Sequence, residues 1–309
     1  MPKDTEIDRA EAQRSEKSDV QQTKINDRSH LHYYLKEDAC LSHTWCKPLC
    51  KLVTSNHHNG EQFFNEIEKP EGRSRWSLFK WLATRKSSTW KINIAKEAAD
   101  FYATKLALPQ NRPHADANDW QVWFVNHATV LLQIGPYNLL TDPVWAEHLG
   151  PRQGHGPKRV IPAGIALEDL PQIHAVLLSH NHYDHMDLAS LRWLYQKFAM
   201  PIYTGLGNGY YLPKEFHVIE MDWWQSALLK ELKIIYTPAQ HGSGRGLRDQ
   251  NAALWGGFSI LSEHGHMFFA GDTGYAPHFK EIHKRFGAPR IVLFRIGAYE
   301  PRALMRYMH

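Results

Sequence analysis

The sequence predicts an α/β layered domain filling the last three-fifths of the chain, on three observations. From Trp120 onward short apolar runs recur: QVWFV, TVLLQIG, YNLLTD, HAVLLSH, PIYTG, KIIYTP, FSILSE, HMFFAGD and RIVLFRIG. They are rich in Val, Ile, Leu, Phe and Tyr, as strands are. Helical stretches at Leu188–Phe198 and Pro277–Phe286 fall between some of them, and strands mixed with helices pack in layers. The runs end at Gly, Asp, Pro or His, so polar residues gather at strand ends, where sites on such sheets are built.

The elements are taken in chain order. Residues 1–30 alternate charges and contain no Leu, Phe, Trp or Tyr; they bury too little apolar surface to offset ordering and read as a disordered arm. Residues 31–115 form an N-terminal extension, with 31–72 as loops of little regular structure. Cys40, His43, Cys46 and Cys50 lie close together there and could hold a metal, but their spacing fits no zinc-finger pattern well, so the three cysteines read as free thiols. Residues 73–91 carry six positive charges and no negative one, with Trp76, Phe79, Trp81 and Trp90 among them. One reading is a helix packing its aromatics on the main domain. The other is a basic amphipathic segment whose Trp76, Phe79 and Trp81 rest on an anionic membrane surface. A helix over 92–107 and a linker, LPQNRPHADAND, lead into the domain at 116–309. Within it, GLGNGYY at 205–211 lacks a dinucleotide-binding context and reads as a turn. Trp223 and Trp224 read as core residues.

Composition narrows the function classes. With 43% hydrophobic and 22% charged residues the chain is an ordinary globular one. No run approaches the ~18 apolar residues of a spanning helix. The N-terminus has no apolar leader, and three cysteines are no disulfide scaffold. The expectation is a cytoplasmic protein, peripheral at a membrane if the basic segment docks there. A net charge of +4, from 36 basic and 32 acidic residues, gives no argument for a nucleic-acid partner. The 20 histidines direct attention to metal-ligand spacing.

The strongest signal is Ser179-His180-Asn181-His182-Tyr183-Asp184-His185, directly after AVLL. His180 and His182 are two apart, so in extended chain they point the same way. Asp184 and His185 follow in the turn and can reach a second ion beside the first. Imidazole and carboxylate are good Zn²⁺ ligands. Other strand ends supply further candidates: His241 after IIYTPAQ, and Asp272 after MFFAG, whose two oxygens could bridge two ions. Asp142 of LLTDP could orient a ligand from outside or cap a turn before Pro143.

SHNHYDH resembles the HxHxDH motif of the metallo-β-lactamase superfamily. The resemblance is closer still to the N-acylphosphatidylethanolamine-hydrolysing phospholipase D family. It is carried by NHATVLL, LLTDP, GPKR, LPQIHAVLLSHNHYDHMD, DWW, QH followed by LWG, FFAGDTGY and IGAYEPR, from about Trp120 to His309. It implies an αββα metallo-β-lactamase sandwich with two zinc ions per chain. His180, His182 and His241 would hold the first ion and Asp184 and His185 the second, with Asp272 bridging. His127 and Asp142 would stand just outside, and Asp184, Asp272 and His309 nearest the chemistry. The implied activity is cleavage of N-acylphosphatidylethanolamine to N-acylethanolamine and phosphatidic acid by a metal-bound hydroxide. Three departures stand out: Asn126 replaces a Gly, Arg295 replaces a Pro, and the chain stops at His309, short of the family's last strand, last helix and one further zinc histidine. The second zinc site is therefore expected to be the weaker one. The alternatives are another hydrolase of the fold, such as a sugar-phosphate lactonase, or a truncated, catalytically impaired metal-binding remnant.

Overall fold

Alternation along the apolar runs decides which way each side chain faces. In β2 (Thr129–Ile134) Val130, Leu132 and Ile134 enter one hydrophobic cluster and Leu131 another, and the whole strand is buried. β3 (Tyr137–Thr141) splits Leu139 from Leu140, and β4 (Ala175–Leu178) splits Ala175 and Leu177 from Val176 and Leu178. Strands apolar on both faces must be covered on both. The computed structural model shows the covers; it describes residues 55–67, 84, 96, 97, 100, 116, 118–151, 154–246 and 248–297.

Among the described residues the strands form two sheets. The first adds β1 (Trp120–Asn126), β5 (Ile202–Gly205) and β6 (Val218–Met221), in the order β1-β2-β3-β4-β5-β6. Its first three strands are antiparallel and β3 to β6 run parallel. The second contains β7 (Ser226–Leu229), β8 (Leu232–Thr237), β9 (Gly257–Ser262), β10 (Gly265–Phe269) and β11 (Ile291–Leu293), in the order β11-β10-β9-β8-β7. It is antiparallel except where β11 lies parallel to β10.

Between the sheets Val130, Leu132, Leu139, Leu177 and Tyr203 meet Ile234, Tyr236, Phe258, Ile260, Met267 and Phe269. Each fully buried aliphatic chain contributes about 1.5–3 kcal/mol. On the outer face of the first sheet, α1 (Leu188–Phe198) lays Leu191 and Leu194 over Leu140, Val176 and Leu178. Its N-cap, Asp187, accepts from Ala189 N–H and also from Ala146 N–H and the Ser190 hydroxyl. On the outer face of the second, α2 (His278–Phe286) sets Ile282 against Phe268 and Ala270. The layers are therefore helix, sheet, sheet, helix. Both helices fall where their sequence periodicity puts them.

The two strands the apolar runs do not reveal are β6 and β7. Both are short edge strands and only partly buried, VIEM with a glutamate inside and SALL; such edges need no continuous apolar run. Trp223 is in the inter-sheet core, its indole N–H donating to Trp255 O at 2.8 Å. Trp224 is half-buried beside Phe286, with the Arg285 guanidinium 4.2 Å over its ring. GLGNGYY closes in one 3₁₀ turn at Asn208–Tyr211.

Residues 55–67 make isolated bridges, Ser55 with His58 and His58 with Phe63, and are pinned to the domain. Phe63 is buried in the inter-sheet core, and His57 stacks on Trp223 at 4.5 Å while bonding Asp222 Oδ1 at 2.7 Å. The arm at 1–30, the cysteine cluster, Trp76, Phe79, Trp81 and His309 lie outside the described residues. No helix among the described residues is long and apolar enough to cross a membrane.

Candidate metal centre

Four strand ends converge at one rim of the sandwich: β3 with Asp142, β4 with Ser179 to His185, β8 with His241 and β10 with Asp272. Backbone conformation helps to aim them. Asp142 takes φ +33° and His127 φ +40°, in the left-handed region that Asp and His enter more readily than most residues. The ladder of β1 slips between Phe124 and Asn126, a bulge of the kind that re-aims side chains, just before His127. Asn126 is buried, and its amide donates to Val144 O at 3.0 Å. Gly271 has φ +62°, and a Cβ there would lie 2.7 Å from Gly256 O and 3.0 Å from Ser179 Cβ. Only glycine lets the β10 end approach the β4 end this closely.

Donor and acceptor logic fixes the tautomers. Asp142, fully buried, accepts from Ser179 N–H at 2.7 Å, from Ser179 Oγ–H at 2.6 Å and from His185 Nδ1 at 2.7 Å. A carboxylate cannot donate, so His185 Nδ1 carries a proton. The single Ser179 hydroxyl proton goes to Asp142, so Ser179 Oγ accepts from His180 Nδ1–H at 2.9 Å. One carboxylate thus holds two imidazoles with Nε2 facing inward, the usual outer-partner arrangement of ligating histidines.

Inward, His180 Nε2 lies 2.8 Å from His182 Nδ1, and His182 Nδ1 lies 3.3 Å from His241 Nε2. Nitrogens at about 2.0–2.1 Å from a tetrahedral zinc would be about 3.3 Å apart. Two ring nitrogens 2.8 Å apart cannot both present lone pairs to each other, so a proton or a metal cation sits between them. A second group adjoins the first. His185 Nε2 is buried and makes no hydrogen bond, with Asp272 Oδ2 at 3.4 Å and Asp184 Oδ2 at 3.7 Å. Asp272 Oδ2 is also 3.7 Å from His241 Nε2, so it stands between the two groups. Three sets could hold an ion: His180, His182 and His241; His127, Asp184 and His185; and His180, His185 and Asp272.

The electrostatics suit a cation. Burial, with His185, His182 and His241 nearby, keeps His180 neutral far below the usual imidazole range, and burial keeps His182 neutral too. Burial opposes charge on Asp184, but His185 and His127 overcome it and hold that carboxyl well below its ordinary range. Burial likewise opposes charge on Asp272, and His185, His241 and Arg295 overcome it. His185 goes the other way: burial works against its charge, yet Asp272, Asp184 and Asp142 raise it well above the imidazole range. Neutral imidazoles beside three carboxylates around one protonated ring make a pocket for positive charge, and a divalent metal fits it.

The residues singled out in the sequence thus come together, except His309 and the membrane-contact set, which lie outside the described residues. His127 Nε2 lies 3.0 Å from Asp184 Oδ2, where it can orient that carboxylate, and it also belongs to one of the three sets that could hold an ion. Three participants escaped the sequence reading. Ser179 carries a hydroxyl relay whose signal was its place beside His180. Arg295, noted only as a departure from a motif, ion-pairs with Asp272. Asn65 bonds the backbone of His241 from 176 residues away, and no local pattern announces such a contact.

Residues 137–309 match the family model of the beta-lactamase superfamily domain. An uncharacterised protein of Mycobacterium tuberculosis is 36% identical over 216 residues, covering 68% of this chain and 57% of that protein. A Mycobacterium bovis protein aligns to the same extent, so the chain spans little more than half the length of these relatives. The N-acyl-phosphatidylethanolamine-hydrolyzing phospholipase D 1 of Caenorhabditis elegans is 31% identical over 273 residues, 81% of this chain and 74% of that protein. The mitochondrial enzyme of that description from Saccharomyces cerevisiae is 36% identical over 173 residues, 53% of this chain and 36% of its own length.

Proposed function

The chain belongs to the metallo-β-lactamase superfamily, and we propose that it is a zinc-dependent phosphodiesterase of phospholipase D type. Its substrate would be N-acylphosphatidylethanolamine and its products N-acylethanolamine and phosphatidic acid. The observation that carries the hydrolase reading is the juxtaposition of three imidazole nitrogens 2.8 and 3.3 Å apart with an adjoining Asp184–His185–Asp272 group. The lipid substrate is supported by similarity to the worm phospholipase over 81% of the chain.

In this reading His180, His182 and His241 would hold one zinc and Asp184 and His185 the other, with Asp272 available to both. When bound, the ions supply charge stabilisation for a phosphoryl oxygen and lower the pKa of water towards neutrality. Asp142 and Ser179 hold the imidazoles of His180 and His185 with Nε2 inward. The chemistry balances with water as co-substrate: its oxygen forms the new bond to phosphorus, the bond to the ethanolamide oxygen breaks, and a proton passes to the leaving alkoxide. No side-chain nucleophile is needed. Trp76, Phe79 and Trp81 would meet the lipid surface.

The test is zinc content by elemental analysis together with hydrolysis of N-acylphosphatidylethanolamine in detergent micelles. Equal release of ethanolamide and phosphatidic acid, lost with chelator and in Asp272→Ala, is the expected result. Metal binding without lipid cleavage but with hydrolysis of a sugar-phosphate lactone would overturn the substrate. Full activity in Asp272→Ala would overturn the site.

A further inference from the structure

His241 lies just past the end of β8, in a stretch without a strand ladder. Its backbone N–H and C=O are served by a single side chain from far upstream. Asn65 Oδ1 accepts from His241 N–H at 3.0 Å, and Asn65 Nδ2 donates to His241 O at 2.9 Å. The amide imitates one rung of a β-ladder and fixes both peptide planes flanking the residue, hence the direction of its Cβ. Asn65 is itself held in place: Trp255, fully buried in the inter-sheet core, donates its indole N–H to Asn65 Oδ1 at 3.1 Å and to Ala239 O at 2.9 Å. A bond in the opposite sense adjoins it, the Gln240 side chain donating from Nε2 to Ile67 O at 3.1 Å. Phe63 anchors the segment in the core, and Phe63 N–H donates to Asn251 O at 2.8 Å. The segment 55–67 that supplies Asn65, Ile67 and Phe63 lies upstream of the residues matched to the family domain, 137–309.

From these contacts we infer that Asn65 is a positioning residue for the metal ligand His241. The segment 55–67 is then a working part of the centre rather than an appendage. The inference rests on the reading of His180, His182 and His241 as a metal site. It accounts for a feature that reading leaves alone. His180 is held from outside through the Ser179–Asp142 relay, and the main chain of His241 is held by the Asn65 amide. Losing the amide takes these two partners from the main chain of a buried residue and loosens the backbone that directs its Cβ. Outer partners of metal ligands are worth about 10–100-fold in affinity.

The experiment uses the full chain stripped of metal. Zn²⁺ affinity is measured by competition with a chromophoric chelator, and the ligand set is read from the visible bands of the Co²⁺ form. Asn65→Ala and Asn65→Asp are compared with wild type and with Gln62→Ala. Gln62 bonds Gln250 O at 3.0 Å from the same segment but does not touch His241. Asn65→Asp keeps the acceptor for His241 N–H and Trp255 and replaces the donor to His241 O with a carboxylate oxygen, and it serves as the second variant should Asn65→Ala not fold. The expected result is a loss of about 10–100-fold in Zn²⁺ affinity and altered Co²⁺ bands in the Asn65 variants, with Gln62→Ala unchanged. Affinity within twofold of wild type in the Asn65 variants, even with a lowered melting temperature, would overturn the inference and leave the metal site standing. Wild type that binds neither ion would overturn the site itself.

Discussion

Asp142→Asn should reverse the tautomers of two histidines that the new side chain need not move. The carboxylate accepts three hydrogen bonds and donates none. An amide of the same shape keeps one acceptor. Its oxygen is best placed towards Ser179 N–H, whose proton cannot turn away. The NH₂ then faces Ser179 Oγ and His185 Nδ1. Ser179 Oγ can accept from it, but its own proton must then go to His180 Nδ1, which becomes an acceptor. His185 Nδ1 also becomes an acceptor. His180, and His185 in the neutral form that a metal requires, then carry their proton on Nε2, the atom aimed inward. A proton there blocks the lone pair a metal needs, so each histidine must shed it or flip its ring to bind. An outer partner is worth about 10–100-fold per ligand, and two ligands are affected. The expected loss in Zn²⁺ affinity is at least about 100-fold, or ~2.8 kcal/mol at ~1.4 kcal/mol per tenfold. Chelator competition measures the affinity. Long-range ¹⁵N–¹H correlation spectra of the metal-free protein report which ring nitrogen of the neutral His180 is protonated. Wild-type affinity within twofold, or an Nδ1-protonated His180 in the variant, would refute the relay.

Three further outcomes follow from the same geometry. His278 is buried and its pKa is pushed down to about 4 from 6.5, so between those values the unfolded chain binds the extra proton. Stability is therefore lost as pH falls from 6.5 towards 4, by up to about 3 kcal/mol at ~1.36 kcal/mol per unit; denaturant midpoints should show His278→Gln losing less than wild type, and parallel losses would sink the idea. Gly271→Ala places a Cβ 2.7 Å from Gly256 O at φ +62°, which costs at least about 1–2 kcal/mol for the left-handed conformation alone and shifts Asp272; unchanged stability and metal content would show that the rim can give way. Arg295→Ala removes a positive charge paired with Asp272 and should raise metal affinity by about tenfold, ~1.4 kcal/mol; weaker binding would mean that Arg295 supports the carboxylate instead of competing for it.

The candidate site was largely legible because the residues that could hold a metal sit beside strand-like runs. AVLL before Ser179, IIYT before His241 and MFF before Asp272 mark strands and their ends together, and four ends of neighbouring strands meet at one rim. The fold was legible for a related reason: the inner strands are apolar on both faces, which demands covers on both. What did not show was whatever depends on contact without local patterning. Edge strands β6 and β7 are polar enough to read as loop. Asn65 stands in a stretch with no periodicity, and its importance lies wholly in the main chain it meets 176 residues later. Arg295 registers in sequence only as an unexpected residue, and its partner is 23 positions away on another strand end.

Ser179 explains why the centre and the core form one structure. Its N–H and hydroxyl go to Asp142 on the neighbouring strand of its own sheet. Its carbonyl accepts from Tyr236 Oη at 2.8 Å and from Gly256 N–H at 3.1 Å, both from the opposite sheet. Tyr236 is itself buried between the sheets against Phe258, with ring centroids 5.1 Å apart. The residue that sets the direction of His180 is therefore fastened to both halves of the sandwich, and His241 follows the same β8 strand that carries Tyr236. A change in the spacing of the two sheets must alter the distance between His180 and His241. Because a packed interior resists such changes, the hydrophobic core helps to hold the spacing of His180 and His241, together with the Asn65 contacts to the loop that bears His241.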